Sequence, residues 1–471
     1  MNAFPRLRPG IALTRPQGVR AVTIVAVSVA LATSCARGPA PSATVGGEVM
    51  APTCAPAGAE PLLDVQLIPA PVAAATVSRG DTVFVSPCGE LRTIAAGLLA
   101  TPIGGTVVVE PGLYREATLQ VNRTVSLVGR VGAVLDGEGA RTIMLVTADD
   151  VLVRGLRFRD VGSSFSEDRA AIRIAGARGC RIEDNTIENA FFGIYLAKVE
   201  DCRIARNEVH GVPGTEAATA NGIHLWSSRN VEIADNRVSG HRDGIYFEFV
   251  HDSRITGNVA ERNVRYGLHF MYSDGCRYEG NTFRHNAAGV AVMYTRNVEM
   301  IGNRFERNWG SAAYGLLLKE ISDSRLERNL FDGNSTGVHA DGADRLEAHG
   351  NRFIDNGWAV RLMSSTQEAR FTANEFIGNT FDVATNGRSS TSSFRGNYWD
   401  SYDGYDLDRD GVGDIAHQPV RLFSVLVERN EPSLILLRGV FVGLLDAAER
   451  VLPVLTPDIL ADAEPSMRPL P

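Results

Sequence analysis

Residues 267–303 read GLHFMYSDGCRYEGNTFRHNAAGVAVMYTRNVEMIGN, and the second half of this stretch repeats the pattern of the first. A glycine followed by an apolar run opens each half, at Gly267 and Gly289. An asparagine with an apolar residue two positions later follows in each half, at Asn281 and Asn303. Both pairs are 22 residues apart, so the stretch contains two copies of one structural unit.

The same unit recurs along most of the chain. Its asparagines are Asn185, Asn207, Asn236, Asn258, Asn281, Asn303, Asn329, Asn351, Asn374 and Asn397. Their spacing is 22 or 23 residues, except for two units of 29 and 26 residues. The glycines from Gly193 to Gly337 show the same two longer units, which places insertions near Pro213 and Trp309. A fixed period of this length indicates a solenoid.

The pattern inside each unit predicts an all-β fold. Runs such as CRIEDN, TIEN and GIYLA alternate apolar and polar residues and are too short for helices. The regularly spaced leucines of leucine-rich repeats are missing. The sequence therefore predicts a right-handed parallel β-helix with 22–23-residue rungs over residues 90–400, followed by a short helical C-terminal extension. Identical residues would stack one strand spacing apart, at about 4.8 Å, and the asparagines would form a hydrogen-bonded ladder.

The N-terminal part has the layout of an exported protein. Several arginines precede the apolar run AVTIVAVSVALA (residues 21–32), and ATSC follows with Cys35. Residues 1–35 therefore predict a leader of the lipoprotein type with Cys35 as the lipidated residue, and ordinary signal-peptide cleavage is the alternative. Residues 36–89 are rich in Pro, Ala and Gly near their start, which predicts a flexible tether.

The cysteines and the net charge give further information about possible disulfides and about the class of protein. The chain has six cysteines, and an oxidising compartment permits disulfides. Cys54 and Cys88 are candidates to attach the tether to the first rung. Cys180 and Cys202 are 22 residues apart and would stack, either as a disulfide or as two small inward side chains. A net charge of -8 without a basic tract argues against a nucleic-acid binder.

Strand alternation predicts which side chains face outward. The first and third residues after each glycine are apolar and must fill the core. The second and fourth residues therefore form two outward columns. The position-two column contains Tyr195, His224, Tyr246, His269, Ala291, Leu317 and His339. The position-four column contains Ala197, Trp226, Glu248, Met271, Met293, Lys319 and Asp341.

These columns suggest a metal site. His269, Met271 and Met293 share one outer face, with His224 and Glu248 as accessory candidates. Thioether sulfur is a poor ligand for zinc or calcium but suits Cu(I), and imidazole can complete the set. An apolar patch for docking a partner is the alternative, because methionine also suits adaptable contact surfaces.

Residues 401–471 differ from the repeats. An acidic loop matches the start of a calcium loop, D-x-D-x-D-G. Its candidate ligands are Asp406, Asp408, Asp410 and Asp414. His417 stands at the twelfth position, where an EF-hand has glutamate, so a different calcium loop and a metal-free turn are both open. The remainder predicts amphipathic helices that cap the open end of the solenoid or dock to a membrane partner.

Three segments resemble the NosD family of nitrous oxide reductase maturation proteins. They are GLHFMYSDG (267–275), GVAVMYTRNVEMIGNRFERNWGSAAYGLLLKEISDS (289–324) and GNYWDSYDGYDLDRDGVGDIAHQPVRLFSVLVE (396–428). The resemblance implies a periplasmic β-helix that docks on an ABC transporter built from a permease and an ATPase. It also implies that copper arrives from a lipoprotein chaperone and serves the copper centres of nitrous oxide reductase. This favours the copper interpretation of Met271, Met293 and His269.

A polysaccharide-active enzyme is the rival class, because parallel β-helices often carry such activities. These enzymes need acid and base groups that converge on one face. The outward candidates are Glu248, Lys319, Asp341 and Arg361. They spread over five rungs, or roughly 20 Å at one strand spacing per rung, which favours a non-catalytic protein. An adaptor that binds the transporter without holding metal is the other alternative.

Overall fold

The computed structural model describes residues 81–469, except 165, 213, 217, 218, 311, 312, 438 and 453–459. The leader, Cys35 and Cys54 lie outside these residues. The described part is a parallel β-helix, as predicted, and each complete rung supplies one strand to each of three sheets. The strands within each sheet are parallel and are numbered here in chain order.

The first sheet contains 14 described strands. They are β1 (Thr82–Val85), β2 (Thr106–Val109), β5 (Ser126–Gly129), β8 (Leu152–Arg154), β11 (Arg181–Glu183), β14 (Arg203–Ala205), β17 (Glu232–Ala234), β20 (Arg254–Thr256), β23 (Arg277–Glu279), β26 (Glu299–Ile301), β29 (Arg325–Glu327), β32 (Glu347–His349), β35 (Arg370–Thr372) and β38 (Ser393–Arg395).

The second sheet contains 13 described strands. They are β3 (Gly112–Tyr114), β6 (Ala133–Asp136), β9 (Arg157–Arg159), β12 (Thr186–Glu188), β15 (Glu208–His210), β18 (Arg237–Ser239), β21 (Val259–Glu261), β24 (Thr282–Arg284), β27 (Arg304–Glu306), β30 (Leu330–Asp332), β33 (Arg352–Ile354), β36 (Glu375–Ile377) and β39 (Tyr398–Trp399).

The third sheet contains 12 described strands and carries the two outward columns. They are β4 (Leu119–Val121), β7 (Met144–Val146), β10 (Ala170–Ala175), β13 (Phe192–Ala197), β16 (Ile223–Trp226), β19 (Asp243–Glu248), β22 (Tyr266–Met271), β25 (Ala288–Arg296), β28 (Leu316–Ser322), β31 (Thr336–Asp344), β34 (Trp358–Leu362) and β37 (Phe381–Ala384).

The asparagine ladder is confirmed and lies at the turn between the first and second sheets. Asn281 shows the pattern: its Nδ2 donates to Asn303 Oδ1 at 2.9 Å and to the carbonyl of Ile255 at 2.8 Å. Its own Oδ1 accepts from the backbone N of Asn258 at 2.9 Å. The ladder satisfies buried turn groups that would otherwise lack partners.

A second asparagine ladder, which the sequence analysis missed, lies at the turn between the second and third sheets. Its members are Asn263, Asn286, Asn308, Asn334, Asn356 and Asn379. The core beside it holds a column of stacked rings at one ring per rung. They are Phe283, Phe305, Phe331, Phe353, Phe376 and Trp399. Identical residues stack because each rung repeats the register of the one before.

The β-helix begins before residue 90, the boundary that the sequence predicted. The first strand begins at Thr82 and pairs in register with β2, so the segment 36–89 assigned to the tether includes a strand. This rung escapes the periodic signal because its strand has no asparagine or glycine marker. A helix, α1 (Ile94–Ala100), follows it, and the Thr93 side chain caps this helix by accepting from the backbone N of Ala96.

One disulfide joins neighbouring rungs. Cys180 and Cys202 are bonded with a Cα separation of 4.6 Å, which resolves the two alternatives in favour of the bond. Cys276 is a free, buried thiol, and burial raises its pKa to about 12.

The C-terminal helices are α2 (Leu422–Arg429), a 3₁₀ helix (Glu431–Leu436) and α3 (Val440–Val451). Helix α2 packs on the outer face of the third sheet, where the ring of Phe423 lies 6.0 Å from that of Phe381. Arg361 on β34 donates to both carboxylate oxygens of Glu428 at 2.8 and 2.9 Å. No described helix is long and apolar enough to cross a membrane.

The chain then returns to close the last rung. Asp462 forms bridges with Phe394 and His417. Its Oδ2 accepts from the backbone N and Nδ2 of Asn397 at 2.9 and 2.8 Å, and from Trp399 Nε1 at 3.1 Å. Asp462 thus takes the place of the next asparagine and ends the first ladder. The segment around Asp462 therefore closes the last rung. Helix α2 does not, since it lies on the side of the solenoid.

Candidate metal site on the third sheet

The register of the third sheet places the two methionines side by side. Met271 on β22 pairs with Met293 on β25, and His269 pairs with Ala291. On the preceding rung, Tyr246 pairs with His269 and Glu248 with Met271. Both outward columns therefore have the predicted order, and residues of one column are one strand spacing apart.

The two kinds of candidate ligand differ in exposure. Met271 and Met293 are half-buried and remain reachable from solvent. His269 is only 5% exposed, although its column faces outward. Rings cover it from two sides, because Tyr266 and Tyr246 have their centroids 4.8 and 5.0 Å from its own. Alternation predicts the direction of a side chain but not what lies over it, so the open strand face expected here is partly closed.

The imidazole of His269 lacks hydrogen bonds. Both Nδ1 and Nε2 are buried, and neither has a partner among the described residues. Oδ2 of Asp243 lies 3.7 Å from Nδ1, beyond hydrogen-bond distance. Buried polar atoms without partners are costly, on the order of 1–3 kcal/mol each. A metal ion at one of the ring nitrogens would satisfy it, so the residues present fit such an ion.

Asp243 is a fully buried charge held by Arg265. Arg265 donates to Oδ1 at 2.9 Å and to Oδ2 at 2.6 Å. Burial alone would raise the pKa of Asp243, but His269 and Arg265 outweigh it and lower the pKa below its ordinary value. Arg265 also reaches Glu216 in the first insertion, with 3.1 Å between Nη1 and Oε1. Asp243, Arg265 and Glu216 are site residues that the sequence analysis missed.

Tyr246 contacts two of the candidate ligands. Its hydroxyl donates to the thioether of Met271 at 3.6 Å, a usual distance for sulfur, and its ring meets His269 edge-on. Burial, followed by the nearby Glu248 and Asp243, raises the pKa of Tyr246 to about 12. The hydroxyl therefore keeps its proton and orients the sulfur.

The two accessory candidates, His224 and Glu248, have different surroundings. His224 lies between the rings of Tyr195 and Tyr246, at 4.5 and 4.8 Å, and its Nδ1 is 2.9 Å from Asn221 Nδ2. Burial, then the charge of Arg242, lowers the pKa of His224 to about 3. It is thus a neutral, packed side chain two rungs from Met271. Glu248 is half-buried beside Met271 and stays within the group.

An exposed aromatic ladder borders the methionines. Phe249, Tyr272 and Tyr294 directly follow Glu248, Met271 and Met293, and their rings stack at 5.2 Å per step. All three rings are at least 40% exposed. The three aromatic residues occupy one position of consecutive repeats, which is the sequence signal that predicts such a ladder. The ladder gives the site an apolar rim of the kind that partner proteins bind.

The acidic loop brings three of its four candidate ligands together. Carboxylate oxygens of Asp406, Asp408 and Asp410 lie within 4.8 Å of one another. Asp414 instead closes the loop by accepting from the backbone N of Leu407 at 2.7 Å. His417 is buried, with its ring 4.9 Å from that of Trp399, and burial followed by Arg421 lowers its pKa to about 4. His417 is therefore a packing residue and not part of the loop.

Comparison with known proteins gives the family. The family model described as periplasmic copper-binding protein (NosD) matches residues 208–404, which include both methionines and His269. A probable ABC transporter binding protein NosD of Pseudomonas aeruginosa is 31% identical over 367 residues, covering 74% of this chain and 85% of the relative. The chain belongs to the NosD family. A NosD protein of Stutzerimonas stutzeri with the same description is 28% identical, covering 72% of this chain and 81% of its own length.

Two solved structures found by comparison are enzymes of low sequence identity to this chain. The catalytic unit of an α-1,3-glucanase from Streptomyces thermodiastaticus has a TM-score of 0.53 at 14% identity, over 70% of this chain and 71% of that one. The A-module of a mannuronan C-5 epimerase from Azotobacter vinelandii has a TM-score of 0.42 at 19% identity, over 63% of this chain and 87% of its own. The likeness to the glucanase concerns the fold alone. The NosD relatives are named as binding proteins.

Proposed function

We propose that this NosD-family chain is a non-catalytic periplasmic protein that binds Cu(I) transiently for the copper centres of nitrous oxide reductase. Met271 and Met293 would supply soft thioether ligands, and His269 would supply an imidazole nitrogen. The observation that carries the proposal is the register of the two methionines beside a buried imidazole without hydrogen-bond partners. The description of the matching family model, a periplasmic copper-binding protein, supports it.

The donor set suits a metal that must arrive and leave. Two thioethers and one imidazole favour Cu(I) over zinc or calcium. The half-buried methionines are accessible to a donor protein, while the covered His269 limits access of water. A site with few ligands at a surface can transfer its ion to another site without unfolding.

The proposed partners are an ABC transporter of permease and ATPase, a copper chaperone lipoprotein and nitrous oxide reductase. The names of the relatives support the transporter. The C-terminal helical segment has exposed apolar side chains that would contact it. They are Ile435, Leu436, Leu444, Val451 and Leu452. Lipidation of Cys35 would hold the chain at the membrane near these partners.

A metal-free adaptor is the second candidate, and the exposed aromatic ladder favours it. An enzyme is disfavoured, because two outward polar residues that a catalytic site would need have other roles. Arg361 is held by Glu428, and Asp341 accepts from Ser365 Oγ at 2.7 Å.

We further propose that Asp406, Asp408 and Asp410 bind Ca²⁺. Hard carboxylates on a short loop are the ligands that Ca²⁺ prefers, and the positive φ of Gly411 gives the sharp turn that such loops need. Calcium would then be a structural ion at the C-terminal end.

The test is an anaerobic Cu(I) titration against a competing chromophoric chelator. We expect the wild-type protein to bind about one Cu(I) and the Met271→Leu/Met293→Leu variant to lose it, because leucine keeps the volume but removes the sulfur. Met467→Leu is the matched control, since Met467 is also half-buried but lies in the C-terminal segment. Equal binding by wild type and double variant would reject the site. No binding by either would favour the adaptor.

A further inference from the structure

Four charged or polar side chains form a continuous chain that ends at His269. Glu216 in the first insertion contacts Arg265, Arg265 contacts Asp243, and Asp243 faces His269. The last three side chains come from neighbouring rungs, and the Asp243 side chain is 0% exposed. The chain links an insertion at the edge of the sheet to one candidate ligand.

The burial of Asp243 is unfavourable by itself and needs an explanation. Removing a carboxylate from water is unfavourable, and Arg265 offsets this cost through two hydrogen bonds. An apolar residue at this position would avoid that cost. The carboxylate is therefore expected to serve another group. Two further side chains lie 3.7 Å from its Oδ2, the partly exposed Arg242 and the buried His269.

The orientation of His269 defines that role. Its Nδ1 faces the carboxylate at 3.7 Å, a separation that a small ring rotation would shorten to a hydrogen bond. A carboxylate accepts but does not donate, so it favours the tautomer with the proton on Nδ1. The lone pair of Nε2 is then free. Histidine ligands commonly donate their second ring N–H to a carboxylate in this way.

We infer that Asp243 is a positioning residue that fixes the Nδ1–H tautomer of His269 and thereby presents Nε2 to the metal, with Arg265 and Glu216 holding Asp243 in place. This rests on the proposed Cu(I) function for the identity of the metal. The tautomer itself is a property of the metal-free protein and is tested without copper.

Asp243 could have a purely structural role instead, and the two roles predict different results for the tautomer of His269. The carboxylate would then only anchor Arg265, and through Glu216 the first insertion, and its removal would leave the tautomer of His269 unchanged. The two roles therefore differ in a spectroscopic property of one imidazole, not only in stability.

The experiment is two-bond ¹H–¹⁵N NMR on metal-free, histidine-labelled full-length protein, with His269→Gln used to assign the His269 signals. We expect one Nδ1–H tautomer in the wild type and loss of this preference in Asp243→Ala. Asp341→Ala is the matched control, because Asp341 lies on the same outer face three rungs away. It should leave the tautomer unchanged.

Copper binding gives the second measurement. We expect Asp243→Ala to bind Cu(I) about 10–100-fold more weakly with unchanged stoichiometry, the usual effect of losing such a partner. An Nε2–H tautomer in the wild type would overturn the inference even if the variant does not fold, as would an unchanged tautomer in Asp243→Ala. An Nδ1–H tautomer that depends on Asp243, in a protein that binds no Cu(I), would reject the proposed function but support the positioning role.

Discussion

At the scale of single residues, Asp382 on β37 gives the chain a specific pH dependence. Its Oδ1 is buried without a partner, while Ser401 donates to Oδ2 at 3.0 Å. Burial, followed by the charge of Asp400, raises its pKa from 3.8 to about 6. The folded protein therefore holds this proton more tightly than the unfolded chain, and stability falls as pH rises from about 4 to about 6, with no further change above.

Asp382→Asn should remove this dependence. We expect the variant and the wild type to have similar free energies of unfolding near pH 4, and the variant to be more stable by about 2.5 kcal/mol at pH 7, following the shift of about two pKa units. Urea denaturation across this pH range measures the difference. A difference that does not change with pH would show that the carboxyl titrates normally.

Asn281 tests the first ladder. Asn281→Ala removes the acceptor of the Asn258 backbone N and the donor to the Ile255 carbonyl, leaving both buried. We expect the free energy of unfolding to fall by about 2–6 kcal/mol, because each of these two buried unsatisfied groups costs about 1–3 kcal/mol. Urea denaturation measures it, with exposed Asn122→Ala as control. Similar urea midpoints for the two variants would contradict a stabilising ladder.

The sequence predicted which way the side chains of the candidate site point, but it did not predict which residues surround them. Alternation and period were enough to align Met271 with Met293 and to place His269 on the same face. They did not predict that His269 is covered, because Tyr266 and Asp243 are the first residues of their strands, where side-chain directions do not follow the alternation. Asp243 carried no signal of its own, since its role depends on partners 22 and 26 residues away.

At the scale of elements, the segment around Asp462 closes the solenoid. Asp462 accepts hydrogen bonds from Asn397 and Trp399, and also from the backbone N of Gly396 at 3.0 Å. Without it, the last rung would present unpaired donors at an open sheet edge, a surface prone to aggregation.

Asp462→Ala should therefore loosen the C-terminal rung selectively. We expect faster amide hydrogen exchange at residues 393–399 and unchanged exchange in rungs near residue 230, measured by mass spectrometry. Asp462→Asn should behave more like the wild type, because its amide oxygen can accept from Asn397 as another ladder asparagine would. Equal effects of the alanine and asparagine variants would contradict a ladder-closing role.

The acidic loop is expected to respond to Ca²⁺. Ca²⁺ at 100 times its dissociation constant should stabilise the protein by about 2.7 kcal/mol and raise its unfolding temperature, and a chelator should reverse this. Asp408→Asn should abolish the effect, while Asp403→Asn should keep it, because Asp403 is exposed and outside the carboxylate cluster. Calorimetry with and without Ca²⁺ measures it. An effect equal in both variants would place the ion elsewhere.

The strands could be predicted from the sequence, whereas the position of helix α2 could not. The strands were predictable because each rung repeats the pattern of the one before, and the first rung was missed because Thr82–Val85 has no marker residues. The position of α2 was not predictable. Its apolar face is compatible with any apolar surface, and the pairing of Arg361 with Glu428, 67 residues apart, fixes it on the third sheet.

At the scale of the whole molecule, the two insertions and helix α2, which are not part of the repeat, all contact the third sheet. The first insertion reaches the third sheet through Glu216, and the second does so through Tyr314, whose ring lies 5.0 Å from that of His339. Helix α2 covers the same sheet near β37. The two insertions thus lie on either side of the rungs of Met271 and Met293, whose side chains are half-buried.

Copper K-edge X-ray absorption on the Cu(I)-loaded, full-length protein is the decisive test of the copper site, because it identifies the atoms bound to the metal. We expect a low-coordinate Cu(I) with two sulfur neighbours and one imidazole nitrogen. We also expect loss of both sulfurs in Met271→Leu/Met293→Leu, with no change in Met467→Leu. A spectrum without sulfur, or one that the double variant leaves unchanged, would contradict a copper site at these methionines.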